Sequence, residues 1–111
     1  MVEFYPPDGN FYFVVWQTDN TQKNNAFTWS PTLGVWYHIC AVADGSTTRV
    51  YINNVEQGAG TAYDGTVRNL ATYLNIGSNS GGVQAADGNI CQVYMWNGAP
   101  IVTGKHCLYT P

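Results

Sequence analysis

Residues 36–54 read WYHICAVADGSTTRVYINN and carry the strongest structural signal in the chain. Aromatic and β-branched residues dominate the first part, which indicates a strand over residues 35–43. Asp44-Gly45 follows, and Asp-Gly is a turn dipeptide because glycine adopts positive φ without steric cost. The stretch therefore predicts two antiparallel strands, over residues 35–43 and 48–52, joined by a short turn.

Turn residues and polar segments extend this pattern in both directions. Asn53-Asn54 is favoured in a tight hairpin turn and predicts a third strand over residues 55–57. Upstream, residues 11–18 predict a strand that is apolar on both faces, so both faces need cover or one is a contact surface. Residues 19–25 are polar and predict a loop, and residues 1–10 predict a turn or linker because they contain two prolines and an Asp-Gly pair.

The composition restricts the class of protein. A chain of 111 residues with 45% hydrophobic content can bury one core, so we expect a single domain over residues 1–111. Only 10% of the residues are charged and no segment shows sustained helical periodicity, which favours an all-β fold. The net charge of −3, with four scattered basic residues, predicts no nucleic-acid partner. We also expect no membrane insertion, because the longest apolar run is residues 11–16, and no signal peptide.

Three segments resemble, in family order, strands of the laminin G-like and pentraxin-like members of the concanavalin A-like lectin family. In residues 36–54 a Trp-x-His strand leads through Asp-Gly to a Tyr-Ile-Asn-Asn hairpin. The second segment is residues 74–78, LNIGS, and the third is residues 87–97, DGNICQVYMWN. The resemblance implies an antiparallel β-sandwich with jelly-roll connections, which the short strands and turns also favour. It also implies an extracellular location, or one on a cell or virion surface.

The chain is short for this family. The resemblance implies that strands preceding residue 11 are missing, so the sandwich is expected to be truncated and to leave an apolar face and a sheet edge that must be covered. We therefore expect a homo-oligomer or a piece of a longer chain, and a compact minimal sandwich is the alternative.

Three cysteines, Cys40, Cys91 and Cys107, allow at most one intramolecular bridge. In pentraxin-like relatives the cysteine that corresponds to Cys40 is bridged to one on an earlier strand, but residues 11–16 contain no cysteine. A Cys91–Cys107 bridge would tie the C-terminal tail to the sheet. Three free thiols are the expectation, and that single bridge is the alternative.

The acidic residues argue against an enzyme. Enzymatic members of the superfamily use a Glu-x-Asp-x-x-Glu strand to hydrolyse glycosidic bonds. The chain has only two glutamates, Glu3 and Glu56, and contains no such motif. The sequence therefore predicts a noncatalytic protein.

Aromatic side chains are the expected ligand platform, because sugar rings stack on tryptophan and tyrosine while neighbouring amides bond to hydroxyl groups. Core packing is the alternative for each aromatic residue, and the resemblance implies a core position for Trp36. The predicted ligand-binding residues are Trp16, Trp29, Tyr51, Asn79 and Tyr94.

Calcium is the one candidate cofactor, since the resemblance implies a calcium site at the sandwich rim. Calcium requires hard oxygen ligands, and the predicted ligands are Asp64, Asn79 and Asp87. The alternative is that each aspartate only stabilises its own Asp-Gly turn.

The leading functional interpretation is a noncatalytic recognition module that binds carbohydrate or a protein surface through rim loops and exposed aromatics. The expected contact loops are residues 19–25, 61–66 and 78–87. The competing interpretation is a structural or assembly domain of a larger surface or viral protein with no small-molecule ligand. The fold does not decide between them, because one fold supports many functions.

Overall fold

The computed structural model describes residues 1–68, 76, 88–93 and 95, together with the backbone of residues 102–103 and 106–107. The strands are β1 Val2–Tyr5, β2 Asn10–Trp16, β3 Gln22–Thr28, β4 Ile39–Ala43, β5 Thr47–Ile52, β6 Val55–Ala62, β7 Val102–Thr103 and β8 His106–Cys107. They form two three-stranded antiparallel sheets, β1-β2-β3 and β4-β5-β6, and a two-stranded β7-β8 ribbon. The described residues contain no helix, and hence none that could cross a membrane. The predicted all-β class is confirmed.

The first sheet is built around the apolar strand β2. β1 pairs with one edge of β2, with Glu3 opposite Tyr12, and β3 pairs with the other edge, with Trp16 opposite Gln22. Gly9, at a φ of 70°, reverses the chain between β1 and β2. Residues opposite each other share a face of the sheet, so this register decides which side chains can meet.

Two predictions about this sheet are wrong. Residues 1–10 are more than a turn or linker, because Val2–Tyr5 forms β1. The loop predicted over residues 19–25 ends at residue 21, since β3 begins at Gln22. Both strands place polar side chains among their outward-facing positions, so a search for apolar alternation does not find them.

The second sheet confirms the predicted hairpins and their turns. Gly45, at a φ of 97°, lies between β4 and β5, and Asn53 and Asn54, at 48° and 68°, lie between β5 and β6. Positive φ at both central residues is what a type I′ turn requires. β4 begins at Ile39 rather than at residue 35, and β6 continues to Ala62 rather than ending at residue 57.

β6 continues past its predicted end because of a bulge. The register with β5 shifts between Thr48 and Val50, and Gly58 and Gly60 have φ values of 66° and 77°. Glycine at positive φ lets a strand absorb an extra residue without ending the ladder. Because glycines usually interrupt strands, the glycine-rich sequence after residue 57 led to a predicted strand that is shorter than β6.

The core lies between the two sheets. Phe11 of β2 packs with Val50 and Ile52 of β5, and all three are buried. Partly buried residues surround them: Phe4, Phe13, Phe27, Trp29, Tyr37 and Ala41. Burying a large apolar side chain stabilises by about 1.5–3 kcal/mol, so this cluster holds the sheets face to face in a β-sandwich.

Polar side chains join the sheets along the side where β3 meets β6. Asn25 is buried, and its Nδ2 donates to the carbonyl oxygen of Thr48 over 2.9 Å. Thr61 Oγ1 donates to the carbonyl oxygen of Asn24 over 3.1 Å. The first bond satisfies an amide that would be costly to bury unpaired and joins β3 to β5, and the second joins β6 to β3.

Two tryptophans differ in burial from what the sequence predicts. Trp36, expected in the core, is 64% exposed. Trp29 instead packs edge-to-face against Phe4, Phe11 and Tyr37, with ring centroids 5.2, 5.7 and 5.1 Å away. Trp29 continues the inward-facing alternation of β3, whereas Trp36 precedes β4 and no strand register directs it inward.

A second buried cluster lies on the other face of the second sheet and contains Cys40, Val42 and Tyr51. Cys40 is bonded in a disulfide. Cys91 is a free, exposed thiol. The expectation of three free thiols and the alternative Cys91–Cys107 bridge are therefore both wrong, because a cysteine count does not specify the pairing.

The later family-like segments form no strand where the structure describes them. The segment 74–78 lies outside the described residues except for Ile76, which is 53% exposed. Residues 88–93 of the segment 87–97 have no strand structure, and Ile90 and Val93 are 53% and 47% exposed. None of the strand registers includes them, so their backbone joins no described ladder.

Candidate functional site

Three turns converge at one end of the sandwich and are called the rim here: residues 17–21, 44–46 and 63–68. The Asp64 amide donates to Gln17 Oε1 over 2.9 Å. The Gly45 amide donates to the Tyr63 hydroxyl over 2.7 Å. The last turn therefore bridges the other two.

The rim contains parts of the predicted contact loops. Residues 63–66 belong to the predicted loop 61–66, and the turn that ends at residue 21 overlaps the start of the predicted loop 19–25. The predicted loop 78–87 lies outside the described residues.

Each rim turn carries one aspartate that bonds to its own turn. Asp19, Asp44 and Asp64 each accept the backbone amide two residues further on, from Thr21, Ser46 and Thr66, at 2.8, 2.9 and 2.8 Å. The repeated pattern Asp-x-Ser/Thr is a local turn motif. These carboxylates therefore hold the rim backbone in shape.

The predicted calcium ligands are only partly placed. The described residues hold no group of three or more histidine, cysteine, aspartate or glutamate side chains that could bind a metal ion. Asp64 lies on the rim, where its Oδ1 accepts the amide and the hydroxyl of Thr66 at 2.8 and 2.6 Å. Asn79 and Asp87 lie outside the described residues, so calcium binding stays a prediction.

Stability should fall in acid because the Asp44 carboxylate is hydrogen-bonded in the folded state. The pKa of Asp44 lies below its ordinary value of 3.8, held there by the backbone amides of Thr47 and then Ser46. Such a carboxylate stabilises the fold above the unfolded-state pKa, and this stabilisation is lost as pH falls through the lowered folded-state pKa. We expect the free energy of unfolding, measured in urea, to decrease below pH 3.8 and Asp44→Asn to reduce that decrease. An identical pH profile for wild type and variant would contradict this.

Glycine is required where two rim turns touch. Gly65 has a φ of 84°, and a Cβ there would lie 2.6 Å from the carbonyl oxygen of Gly45. Gly65→Ala should therefore lower the free energy of unfolding by more than the roughly 1–2 kcal/mol that left-handed strain alone costs. Gly34→Ala is the matched control, because Gly34 has a φ of 77° and no atom within 4 Å of an added Cβ. Equal decreases in the free energy of unfolding for Gly65→Ala and Gly34→Ala, measured in urea, would contradict the contact between Gly65 and Gly45.

Trp16 lies beside the rim and is covered by a cation. It is 42% exposed, and the guanidinium carbon of Arg68 lies 5.0 Å from the centroid of its ring. The Arg68 amide donates to the Trp16 carbonyl oxygen over 2.7 Å, and Arg68 Nη1 donates to Asn20 Oδ1 over 2.6 Å. A guanidinium over an indole is a favourable cation–π contact. Arg68 therefore occupies one face of the Trp16 ring, and ligand binding by Trp16 stays a prediction.

The other predicted ligand-binding residues do not join Trp16. Trp29 packs against the core between the sheets, where other aromatic rings surround it. Tyr51 is only 8% exposed within the second buried cluster. Strand register turns both rings toward packed neighbours, so neither lies beside Trp16, and a ligand role for them stays a prediction. Asn79 and Tyr94 lie outside the described residues.

A shallow depression of about 330 Å³ lies on the outer face of the first sheet. Its lining comes from β1, the β1–β2 turn, β2 and β3: Met1, Glu3, Tyr5, Asp8, Tyr12, Val14, Gln22 and Asn24. The strand residues occupy alternate positions, so the register places them on one face. The volume is at the lower end of the range for small-molecule sites.

The ring of Tyr12 in the depression is held by its neighbours. Its hydroxyl donates to Asp8 Oδ2 over 2.5 Å and accepts from Asn10 Nδ2 over 3.4 Å. The Asn10 amide donates to Asp8 Oδ1 over 2.8 Å. The bond to Asp8 raises the pKa of Tyr12, and the same bond lowers the pKa of Asp8. The ring is therefore oriented before any ligand arrives, which reduces the entropy cost of binding.

Three polar side chains of the depression have no hydrogen-bond partner among the described residues: Glu3, Gln22 and Asn24. The two amides each offer donors and an acceptor, and the carboxylate offers acceptors only. An oriented aromatic ring beside such groups suits a ligand that is flat and apolar on one side and rich in hydroxyl groups at its edge.

The predicted ligand-binding residues include none of the depression's lining. The depression exists only because β1 and β3 flank β2, and the sequence assigns β1 to a turn or linker and the first half of β3 to a loop. A usable signal is the two-residue spacing of Glu3 and Tyr5, and of Gln22 and Asn24, on either side of the apolar strand.

A comparison with known families agrees with the observed sandwich. A laminin G-type family model, described as Concanavalin A-like lectin/glucanases superfamily, matches residues 1–101. No curated protein and no solved structure matches the chain. The matched range contains both three-stranded sheets. The chain therefore belongs to the concanavalin A-like lectin/glucanase superfamily, as a laminin G-like domain.

Proposed function

We propose that this laminin G-like domain is a noncatalytic recognition module that binds carbohydrate in the depression on the outer face of the first sheet. The observation that carries the proposal is the ring of Tyr12, fixed by Asp8 and Asn10 beside three unpartnered polar side chains. A sugar can stack its C–H face on the ring and exchange hydrogen bonds with the amides.

The distribution of acids supports binding without catalysis. Glycoside hydrolysis uses two carboxyl groups about 5–9.5 Å apart on either side of the scissile bond. The two glutamates lie on different sheets, Glu3 on β1 and Glu56 on β6. Glu3 shares the depression with Asp8, but the Asp8 carboxylate accepts from the Tyr12 hydroxyl and the Asn10 amide. The bond to Tyr12 lowers the pKa of Asp8, which disfavours it as a proton donor. Glu56 is engaged by Arg49 over 2.5 Å, so it serves the second sheet.

The cysteines support a location outside the reducing cytosol. Disulfides form and persist in oxidising environments such as the cell exterior, and Cys40 is bonded in one. Since laminin G-like domains are often extracellular, we propose an extracellular or surface location, as part of a longer chain or a homo-oligomer.

Calorimetric titration with a panel of soluble tetrasaccharides tests the proposal. We expect at least one to bind with a dissociation constant in the micromolar range. Repeating the titration with calcium and with a chelator tests the predicted rim ligands, since only a calcium-linked site would respond. The absence of any heat of binding with every saccharide in the panel would overturn the proposed function.

An assembly domain is the second candidate, and exposed apolar side chains favour it. Leu33, Trp36 and Val55 are 97%, 64% and 61% exposed. Exposed apolar side chains of this size can mark protein–protein contacts when they form a patch. A tight multimer in light scattering, together with no saccharide binding, would select this candidate over the first.

A further inference from the structure

One carboxylate of the depression is engaged and the other is unused. Asp8 accepts hydrogen bonds from the Tyr12 hydroxyl and the Asn10 amide. Glu3 is half-buried on β1, lies opposite Tyr12 in the register and lines the depression. It has no hydrogen bond or ion pair among the described residues. The Glu3 carboxylate is therefore a charged acceptor that stands on the same face as the ring of Tyr12 without a partner.

Side-chain cations lie elsewhere in the part of the chain that the structure describes. Lys23 is on the other face of the first sheet, because side chains alternate along β3 and its neighbours in the strand line the depression. Arg49 is on β5 of the second sheet. Arg68 is on the rim, where the carboxylates of Asp19 and Asp64 also lie. None of these three cations lines the depression, so no side chain there neutralises its carboxylates.

The terminal ammonium of Met1 is the cation that does line the depression. It donates to the Val14 carbonyl oxygen over 2.7 Å. Burial lowers its pKa from 8.0, so it loses its proton at a lower pH than an exposed terminus does. The two carboxylates, Glu3 and Asp8, outnumber it. The depression therefore has a negative net charge, which attracts cations.

We propose that the saccharide in the depression carries an ammonium group, as an amino sugar with a free amine does, and that Glu3 binds this group. The inference rests on the proposed carbohydrate function and adds the class of ligand. An ammonium group donates three hydrogen bonds, and its bond to a carboxylate is charge-assisted. The face of the Tyr12 ring also attracts a cation, while Gln22 and Asn24 remain for the hydroxyl groups.

Saccharides of other classes satisfy this site less well. A neutral sugar offers Glu3 only hydroxyl donors, and covering a carboxylate without an opposite charge has a desolvation cost. An acidic sugar is repelled by Glu3 and Asp8. An N-acetylated amino sugar keeps the nitrogen but not its charge. The expected order of affinity is therefore the amino sugar first, then the neutral and N-acetylated sugars, and the acidic sugar last.

Three tetrasaccharides with the same glucose backbone and linkage test this inference. They differ only at the second carbon of each sugar, which carries a free amine, a hydroxyl group or an N-acetylated amine. Calorimetry in mildly acidic buffer, which keeps the amine protonated, should show about tenfold tighter binding of the amine-bearing probe than of the other two. The preference should decrease as salt is raised, because exposed charges are screened.

Glu3→Gln and Glu56→Gln separate the role of this carboxylate from that of charge in general. Each variant removes one negative charge, but Glu56 is on β6 of the second sheet and pairs with Arg49. Glu3→Gln should bring the ratio of amine-bearing to neutral affinity close to one, and Glu56→Gln should retain the preference. Glu3→Asp should keep part of it, because the carboxylate remains on a shorter side chain.

Three results would overturn the inference while leaving the carbohydrate function intact. The first is equal binding of the amine-bearing and neutral probes by the wild type. The second is a preference for the amine that persists in Glu3→Gln whose circular dichroism matches the wild type. The third is binding of another saccharide of the panel without binding of the amine-bearing probe. Failure of every saccharide, in the panel and among these probes, would overturn the proposed function itself.

Discussion

Phe11→Ala should lower the free energy of unfolding by about 3–5 kcal/mol. Phe11 is 2% exposed and packs with Val50 and Ile52 of the facing sheet. Its ring also stacks on Phe27 at 5.2 Å and meets Trp29 edge-to-face at 5.7 Å. Truncation leaves a cavity that both sheets line, and a small domain has only about 5–15 kcal/mol of stability in total.

Urea unfolding monitored by fluorescence measures this loss, and Trp36→Ala is the control. Trp36 is also a large aromatic residue, but it is 64% exposed, so its truncation should change stability by no more than about 0.5 kcal/mol. A larger loss for Trp36→Ala than for Phe11→Ala would show that the core is not between these two sheets.

Tyr12→Ala should weaken saccharide binding about tenfold or more. The change removes the ring from the depression and frees the carboxylate of Asp8, and aromatic stacking with its desolvation contributes on the order of 1–2 kcal/mol. Tyr12→Phe should have an intermediate effect, because the ring remains while its bond to Asp8 is lost. Calorimetric titration with the tightest tetrasaccharide gives the three affinities.

Trp36→Ala is again the control, since it removes an exposed aromatic side chain that precedes the second sheet. Its affinity should equal that of the wild type. A loss of affinity in Trp36→Ala together with normal affinity in Tyr12→Ala would move the ligand to the apolar surface that favours the assembly candidate.

The second sheet was within reach of sequence reasoning because its signals are local. Gly45, Asn53 and Asn54 take the positive φ that their types favour in turns, and the strand between the two turns is rich in β-branched and aromatic residues. The conformation of a turn depends on a few neighbouring residues, so it can be predicted without knowledge of the tertiary structure. The resemblance drawn from this sheet agrees with the family match.

The first sheet was harder to predict because its outer strands are defined by their partner. β1 and β3 include polar residues such as Glu3, Gln22 and Asn24. A polar segment forms a strand when a neighbour supplies its backbone hydrogen bonds, and β2 supplies them here on both edges. The depression depends on this pairing, so its residues could not be assembled from the sequence.

Burial was the other quantity that the sequence did not provide. Trp29 and Trp36 are both tryptophans next to predicted strands, yet one packs on Phe11 and the other is mostly exposed. Tyr51 is of a residue type on which sugars stack, but its side chain lies in a packed cluster. Which face a sheet presents to its partner is set by three-dimensional register, and a shift of one residue reverses it.

Backbone amide chemical shifts, followed while the isotope-labelled domain is titrated with the tightest tetrasaccharide, test the account most directly. We expect the largest shifts at Glu3, Tyr12, Gln22 and Asn24, which share the outer face of the first sheet. Shifts confined to the rim residues 44–46 and 63–66, or to residues 33–39 before and at the start of β4, with none on that outer face, would contradict it.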